Sequence, residues 1–229
     1  MRPLGNTLIT GGASGLGAAV AQAVAAEGGR PLILDIAEAP QAGAESARAD
    51  LADRAATERA VHHLAEHAGG LHAVVNAAGT DACGPLDKVD PHDWERVIQV
   101  NLIGTAAVVR AALPHLEASR GTVVDCASTL GVRAVGDATA YCASKAGVMG
   151  FTRALAAETA GRIGVTLLVP GGMDTAFFDG RPEAYRPGPD ARLNPPEHVA
   201  RAVVFALSQP PGCEVREMVV CTSEETSWP

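Results

Sequence analysis

Short apolar runs alternate with Ala-rich stretches along the whole chain, and the alternation predicts strands and helices in turn. Strands are expected at residues 4–10, 31–35, 48–50, 71–76, 122–126, 164–169 and 215–220. Helices are expected at 15–27, 54–68, 91–116, 139–160 and 196–208. Strands separated by helices imply βαβ units and a parallel sheet with right-handed crossovers. The strand segments are nearly all apolar (LILD, AVVN, TVVD, VTLLV), the pattern of strands covered by helices on both faces. The expected fold class is therefore α/β, a doubly wound parallel sheet of about seven strands. Residues 171–193, rich in Gly, Pro, Arg and Asp, form the one long irregular stretch, and are read as a mobile flap over the C-terminal sheet edge.

Composition narrows the picture. At 229 residues the chain fits a single domain, 1–229, with no linker or repeat to divide it. Only 3% of residues are aromatic, so Ala, Val and Leu must build the core, and small side chains let backbone approach a ligand closely. The net charge of −8 argues against nucleic acid and anionic membrane as partners. Cys83, Cys126, Cys142, Cys213 and Cys221 form no CxxC pair, as expected of thiols in the cytoplasm. No apolar run reaches 18 residues, and no basic-then-apolar leader opens the chain, so neither a membrane span nor a secretory signal is expected.

Thr10-Gly11-Gly12-Ala13-Ser14-Gly15-Leu16-Gly17 follows the first strand and opens the first helix. Glycines there permit a tight turn, and free helix N-terminal N–H groups favour a pyrophosphate. Asp35 ends the second strand 18 residues past Gly17, where a carboxylate accepts hydrogen bonds from ribose hydroxyls and repels a 2′-phosphate. Ser14 in the loop and Ile36 after the acid provide no cation, and Arg30 stands at the far end of the strand. NAD is expected rather than NADP.

Tyr141 and Lys145 stand at i and i+4 on one predicted helix face, and Ser128 lies thirteen residues before Tyr141. Asn101 falls in the long helical region, and Asn76-Ala77-Ala78-Gly79 ends a strand. With the glycine loop and Pro170-Gly171, these motifs occur in one order and resemble the short-chain dehydrogenase/reductase family, the type with TGxxxGxG and YxxxK, over about residues 4–220. The resemblance implies a Rossmann-like fold and an NAD(H)-dependent oxidoreductase that interconverts a secondary alcohol and a ketone. It assigns proton transfer to Tyr141, the nicotinamide ribose to Lys145, the substrate oxygen to Ser128 and a water relay to Asn101. Asp50 and Leu51 resemble the segment beside the adenine; Pro170, Gly171 and Thr175 resemble the one that seats the carboxamide.

A free tyrosine is a poor base at neutral pH. A cation at about 4 Å is worth ~4 kcal/mol at an effective dielectric of about 20, roughly three pKa units. Lys145, with the positive ring of oxidised NAD, is therefore expected to bring Tyr141 near 7. The resemblance also implies a homodimer or homotetramer, with residues 221–229 lying where relatives make subunit contacts.

His63-Leu64-Ala65-Glu66-His67 matches HxxEH, but it falls in a crossover helix away from the strand C-termini, so no metal is expected. The substrate pocket should draw on residues 81–84, 129–135 and 171–190, where Arg133, Arg181 and Arg186 admit a carboxylate-bearing substrate or stand as solvated charges. Reduction of a 3-oxoacyl thioester is one specific alternative. A dinucleotide-sensing protein without turnover is another, although a sensor has no need of Ser128, Asn101, Tyr141 and Lys145 together.

Overall fold

A computed structural model describes residues 2–38, 45–210 and 212–228. Seven strands form one parallel sheet: β1 (Asn6–Thr10), β2 (Arg30–Asp35), β3 (Glu45–Arg48), β4 (Ala73–Asn76), β5 (Thr122–Cys126), β6 (Gly164–Pro170) and β7 (Glu217–Val220). Their order is β3-β2-β1-β4-β5-β6-β7. The helices are α1 (Gly15–Ala26), α2 (Arg54–Ala68), α3 (Pro91–Ile98), α4 (Thr105–Ser119), α5 (Thr139–Glu158) and α6 (Pro196–Leu207). Strand order reverses between β1 and β4, the place where doubly wound sheets open a crevice beyond their C-terminal ends.

Successive strand residues serve opposite faces, as the two-residue period requires. Leu8, Val74 and Val123 pack in the layer with α2 and α4, and their neighbours Ile9, Val75 and Val124 pack in the layer with α1 and α6. Local chemistry sets the helix ends. The Asp53 side chain accepts from Ala56 N–H and Gly69 closes α2 in the left-handed region, while Asp90 caps α3 with Pro91 in its first turn.

Several expected elements differ, β1 and β4 each starting two residues later than expected. The third strand is Glu45–Arg48, not 48–50, because this polar edge strand carries no apolar run to mark it; Ala49 N–H still donates to the Asp35 carbonyl, just beyond its end. The last strand starts at Glu217, two residues after the expected start. The expected single helix 91–116 is α3, a π-helical turn at Gln99–Gly104, and then α4. That continuous run is long and apolar enough by composition to cross a membrane, but its buried face packs within the fold, mainly on α2 and α5.

Candidate active site

A cleft of about 820 Å³ runs along the C-terminal ends of the strands. Gly11, Ser14, Gly15, Leu16 and Gly17 form one end with Asp35, Ile36, Asp50 and Leu51. Ala77, Ala78 and Gly79 line the middle, and Ser128, Tyr141, Lys145, Pro170 and Gly171 the other end, with Thr175 reaching back against Gly15. Of the catalytic and cofactor-binding residues assigned by the resemblance, Asn76 and Asn101 do not line the cleft.

The glycine loop is built by close approach. Gly11 has φ +69°, and a Cβ there would lie 2.8 Å from Ala78 Cα. A Cβ on Gly17 would lie 2.2 Å from the Gly11 carbonyl oxygen, so α1 starts directly against the loop. Ser14 precedes α1 in extended geometry without a side-chain cap, which leaves the first N–H groups of the helix to a ligand. Bare helix donors in a glycine cradle, with a carboxylate at the end of the next strand, fit a dinucleotide pyrophosphate and ribose.

Asp35 has two duties. Its Oδ2 accepts from Ala13 N–H and its Oδ1 from Ala37 N–H, both at 2.9 Å, which ties the loop to β2 and leaves each oxygen a further lone pair. Asp50 accepts from Ala52 N–H and pairs with Arg96 at 2.9 Å; burial raises its pKa, but these two contacts outweigh burial and hold it below the usual carboxylate range. Arg96 lines the cleft and was not foreseen. Nor was Arg48, which stands opposite Asp35 in the β2–β3 register and donates through Nε to the Ile36 carbonyl at 2.7 Å. Arg30 pairs instead with Glu45, away from the loop.

At the other end, Lys145 is 4% exposed and donates through Nζ to the Cys126 carbonyl at 2.8 Å. Its nitrogen lies 5.7 Å from the Tyr141 ring centroid. Burial pushes the Tyr141 phenol well above its ordinary 10, opposed by a hydrogen bond from Ser128, and burial draws Lys145 down. The expected fall of Tyr141 toward 7 drew on the positive ring of oxidised NAD together with Lys145; among the chain's own groups burial is the largest influence and acts upward.

Asn101 is 1% exposed. The π-helical turn points it inward, where Oδ1 accepts from Thr80 N–H at 2.8 Å and Nδ2 donates to the Thr80 carbonyl and Ser144 Oγ. It therefore fixes the loop after Gly79 to the helix carrying Tyr141 and Lys145.

Beneath Lys145 lies Asp125, fully buried on β5. Asn76 Nδ2 donates to its Oδ1 at 2.8 Å. The Thr152 hydroxyl, which has one proton, sits 2.9 Å from Oδ2 and 2.7 Å from the Val148 carbonyl. Burial raises the Asp125 pKa to about 6, opposed by the hydrogen bonds from Asn76 and Thr152 and by the charge of Lys145. A carboxyl whose folded pKa exceeds its unfolded value binds the proton more tightly in the fold, so its contribution to stability falls as pH rises from about 4 to about 6, by on the order of 3 kcal/mol. Asp125→Asn reproduces the protonated acid. Its melting temperature should gain on wild type across that interval by about 5–10 °C; parallel melting curves from pH 4 to 7 would expose the error.

The flap is docked over this end. Met173 bridges Asn194, and Asp174 N–H donates to the Asn194 carbonyl. Arg181 pairs with Asp81 at 2.6 Å and stacks on Phe177 and Phe178, while Tyr185 donates to Asp137. Arg186 donates to the Arg181 and Asp179 carbonyls and Arg133 to the Thr226 carbonyl, ties made by side chains that stay exposed to solvent. His63 and His67 lie exposed on α2, and neither lines the cleft.

Comparison with known proteins agrees with the geometry. The short chain dehydrogenase family matches residues 6–186. A D-threitol dehydrogenase of Mycolicibacterium smegmatis is 34% identical over 220 residues, covering 88% of this chain and 85% of its own. A 3-oxoacyl-acyl-carrier-protein reductase of Thermotoga maritima is 32% identical, covering 88% and 89%. The solved structure of a levodione reductase superposes with a TM-score of 0.86 at 28% identity, covering 99% of both chains. The chain belongs to the short-chain dehydrogenase/reductase family of oxidoreductases.

Proposed function

We propose that the protein is an NAD(H)-dependent dehydrogenase or reductase that interconverts a secondary alcohol and a ketone. One observation carries this reading: a single cleft joins the glycine loop and Asp35 to Ser128, Tyr141 and Lys145. When bound, the dinucleotide supplies or accepts the hydride at its nicotinamide ring. The chain's residues do the rest. Ser128 Oγ accepts from Leu130 N–H, which orients the hydroxyl to donate to a substrate oxygen. Tyr141, held protonated, is ready to donate to a carbonyl oxygen in reduction and takes the proton back in oxidation. Lys145, fixed by the Cys126 carbonyl, presents its remaining protons to ribose hydroxyls. Gly11, Ser14–Gly17, Asp35, Ile36, Asp50, Leu51, Ala77–Gly79, Pro170, Gly171 and Thr175 form the cofactor's bed, and Asn76 and Asn101 brace it from behind.

The test is absorbance at 340 nm over a panel of ketones, β-keto esters and secondary alcohols, with NAD(H) and NADP(H) in parallel. Tight NADH binding with silence across the panel would favour a sensor.

The proposed cofactor preference rests on Asp35, while Arg48 beside it favours a residual use of NADP. Asp35→Ala combined with Ile36→Arg should shift the NAD:NADP ratio of kcat/KM by about 100-fold toward NADP, the scale of a charge repulsion exchanged for an attraction. An unchanged ratio would remove Asp35 as the selector. All five cysteines are free thiols, which supports a cytoplasmic setting. Assembly as a homodimer or homotetramer, through α5 and the helical run that leaves Ile103 exposed, completes the reading.

A further inference from the structure

The substrate end of the cleft has a wall that none of the motifs predicts. Beyond β7 the C-terminal segment folds back over its own chain, and Glu224, Glu225, Thr226 and Ser227 line the same cleft as Ser128 and Tyr141. Three ties hold it there. Gly172 N–H donates to Glu225 Oε2 at 3.0 Å, Thr129 and Ser227 share a hydroxyl hydrogen bond of 2.6 Å, and Arg133 donates to the Thr226 carbonyl at 2.8 Å. Gly172 follows the Pro170-Gly171 pair and Thr129 follows Ser128, so the segment joins the two loops that flank the reacting atoms.

Glu225 is the centre of this clasp. Ser227 donates to its Oε1 through both N–H and Oγ, at 3.0 and 2.7 Å. Burial raises its pKa, but these donors and the Gly172 and Thr226 amides outweigh burial and keep it ionised. Among the described residues no cation pairs with it. Arg181 is held by Asp81 and Arg192 faces Glu224 at 3.6 Å. Arg133 and Arg186 are bound to carbonyls. The arginines that would welcome an anion are already engaged, and an unpaired carboxylate stands fixed in the wall.

We propose that the C-terminal segment is part of the substrate site and that Glu225 determines specificity, selecting uncharged alcohols and ketones and rejecting substrates with an anionic group near the reacting carbon. The proposal rests on the oxidoreductase reading above. Two unit charges about 7 Å apart at an effective dielectric of 20–40 repel enough for roughly a tenfold to fiftyfold loss.

The test compares a β-keto ester accepted in the 340 nm panel with the corresponding β-keto acid, which keeps the reacting carbonyl and adds a charge. Wild type should favour the ester in kcat/KM by at least about tenfold, and less so at high salt. Glu225→Gln removes the charge and, because its amide nitrogen cannot accept, gives up the hydrogen bond from Gly172 N–H while keeping those from Ser227; it should narrow the preference about tenfold and remove its salt dependence. Ser227→Ala loosens the clasp but keeps the charge, and the ester preference should persist. A preference unmoved in Glu225→Gln, or lost equally in Ser227→Ala, overturns the proposal while the dehydrogenase reading stands. Silence of wild type with every ketone overturns both.

Discussion

Tyr141→Phe is expected to lower kcat about 1,000-fold while NADH binds within about threefold of its wild-type affinity, the middle of the range for loss of a positioned general acid or base. The split follows from where the hydroxyl sits. The ring lies half-buried against Phe177 at 5.8 Å between centroids, so phenylalanine fills the same space. Only the oxygen is lost. The glycine loop and Asp35 stand at the other end of the cleft and do not sense the change. Stopped-flow reduction of a ketone, read beside NADH fluorescence titration, separates the two effects. Retained turnover would transfer the proton to another group, and lost NADH binding would mean that the ring itself holds the nicotinamide end.

Gly17→Ala should produce the complementary defect, a loss of dinucleotide affinity of about 100-fold, the scale of an ångström-sized misplacement of positioned groups. The added carbon would meet the Gly11 carbonyl oxygen at 2.2 Å and Gly12 N at 2.9 Å, backbone atoms that cannot rotate away. The loop must lift from α1, and its N–H groups no longer converge on one anion. Overpacking of this kind also costs about 1–3 kcal/mol of stability. Calorimetric titration with NADH at a temperature where the variant is folded by circular dichroism isolates the binding term. Affinity close to wild type there would show that the loop tolerates the shift.

The sequence was legible wherever burial on both sheet faces leaves a continuous apolar run, as in LILD and TVVD. It was least legible at the edge strand Glu45–Arg48, whose polar residues carry no such run. The motifs located the glycine loop and the Tyr141–Lys145 pair, because local spacing sets both. Arg48, Arg96, Asp125 and Glu225 escaped because each owes its role to residues far away in sequence: Arg96 to Asp50, Asp125 to Asn76, Glu225 to Gly172. The acceptors of Arg133, Arg181 and Arg186 were hidden for the same reason, since a charge in a loop does not announce its partner. The burial that pushes the Tyr141 phenol upward is likewise a property of the folded pocket that no spacing in the sequence announces.

The π-helical turn at Gln99–Gly104 holds one residue more than an α-helical path between α3 and α4 would need. Deleting a single residue there would yield a more regular helix, better by any local measure. It would leave α3 and α4 in register and displace only the residues of the turn itself. Asn101 would swing away from Thr80 and Ser144, and Gly104 would leave Leu51, whose Cβ leaves no room for a side chain at that position. Small length changes in this segment are thus asymmetric in outcome: the helix tolerates them and the cleft does not. A variant with such a deletion would keep its helical spectrum and lose its cofactor bed.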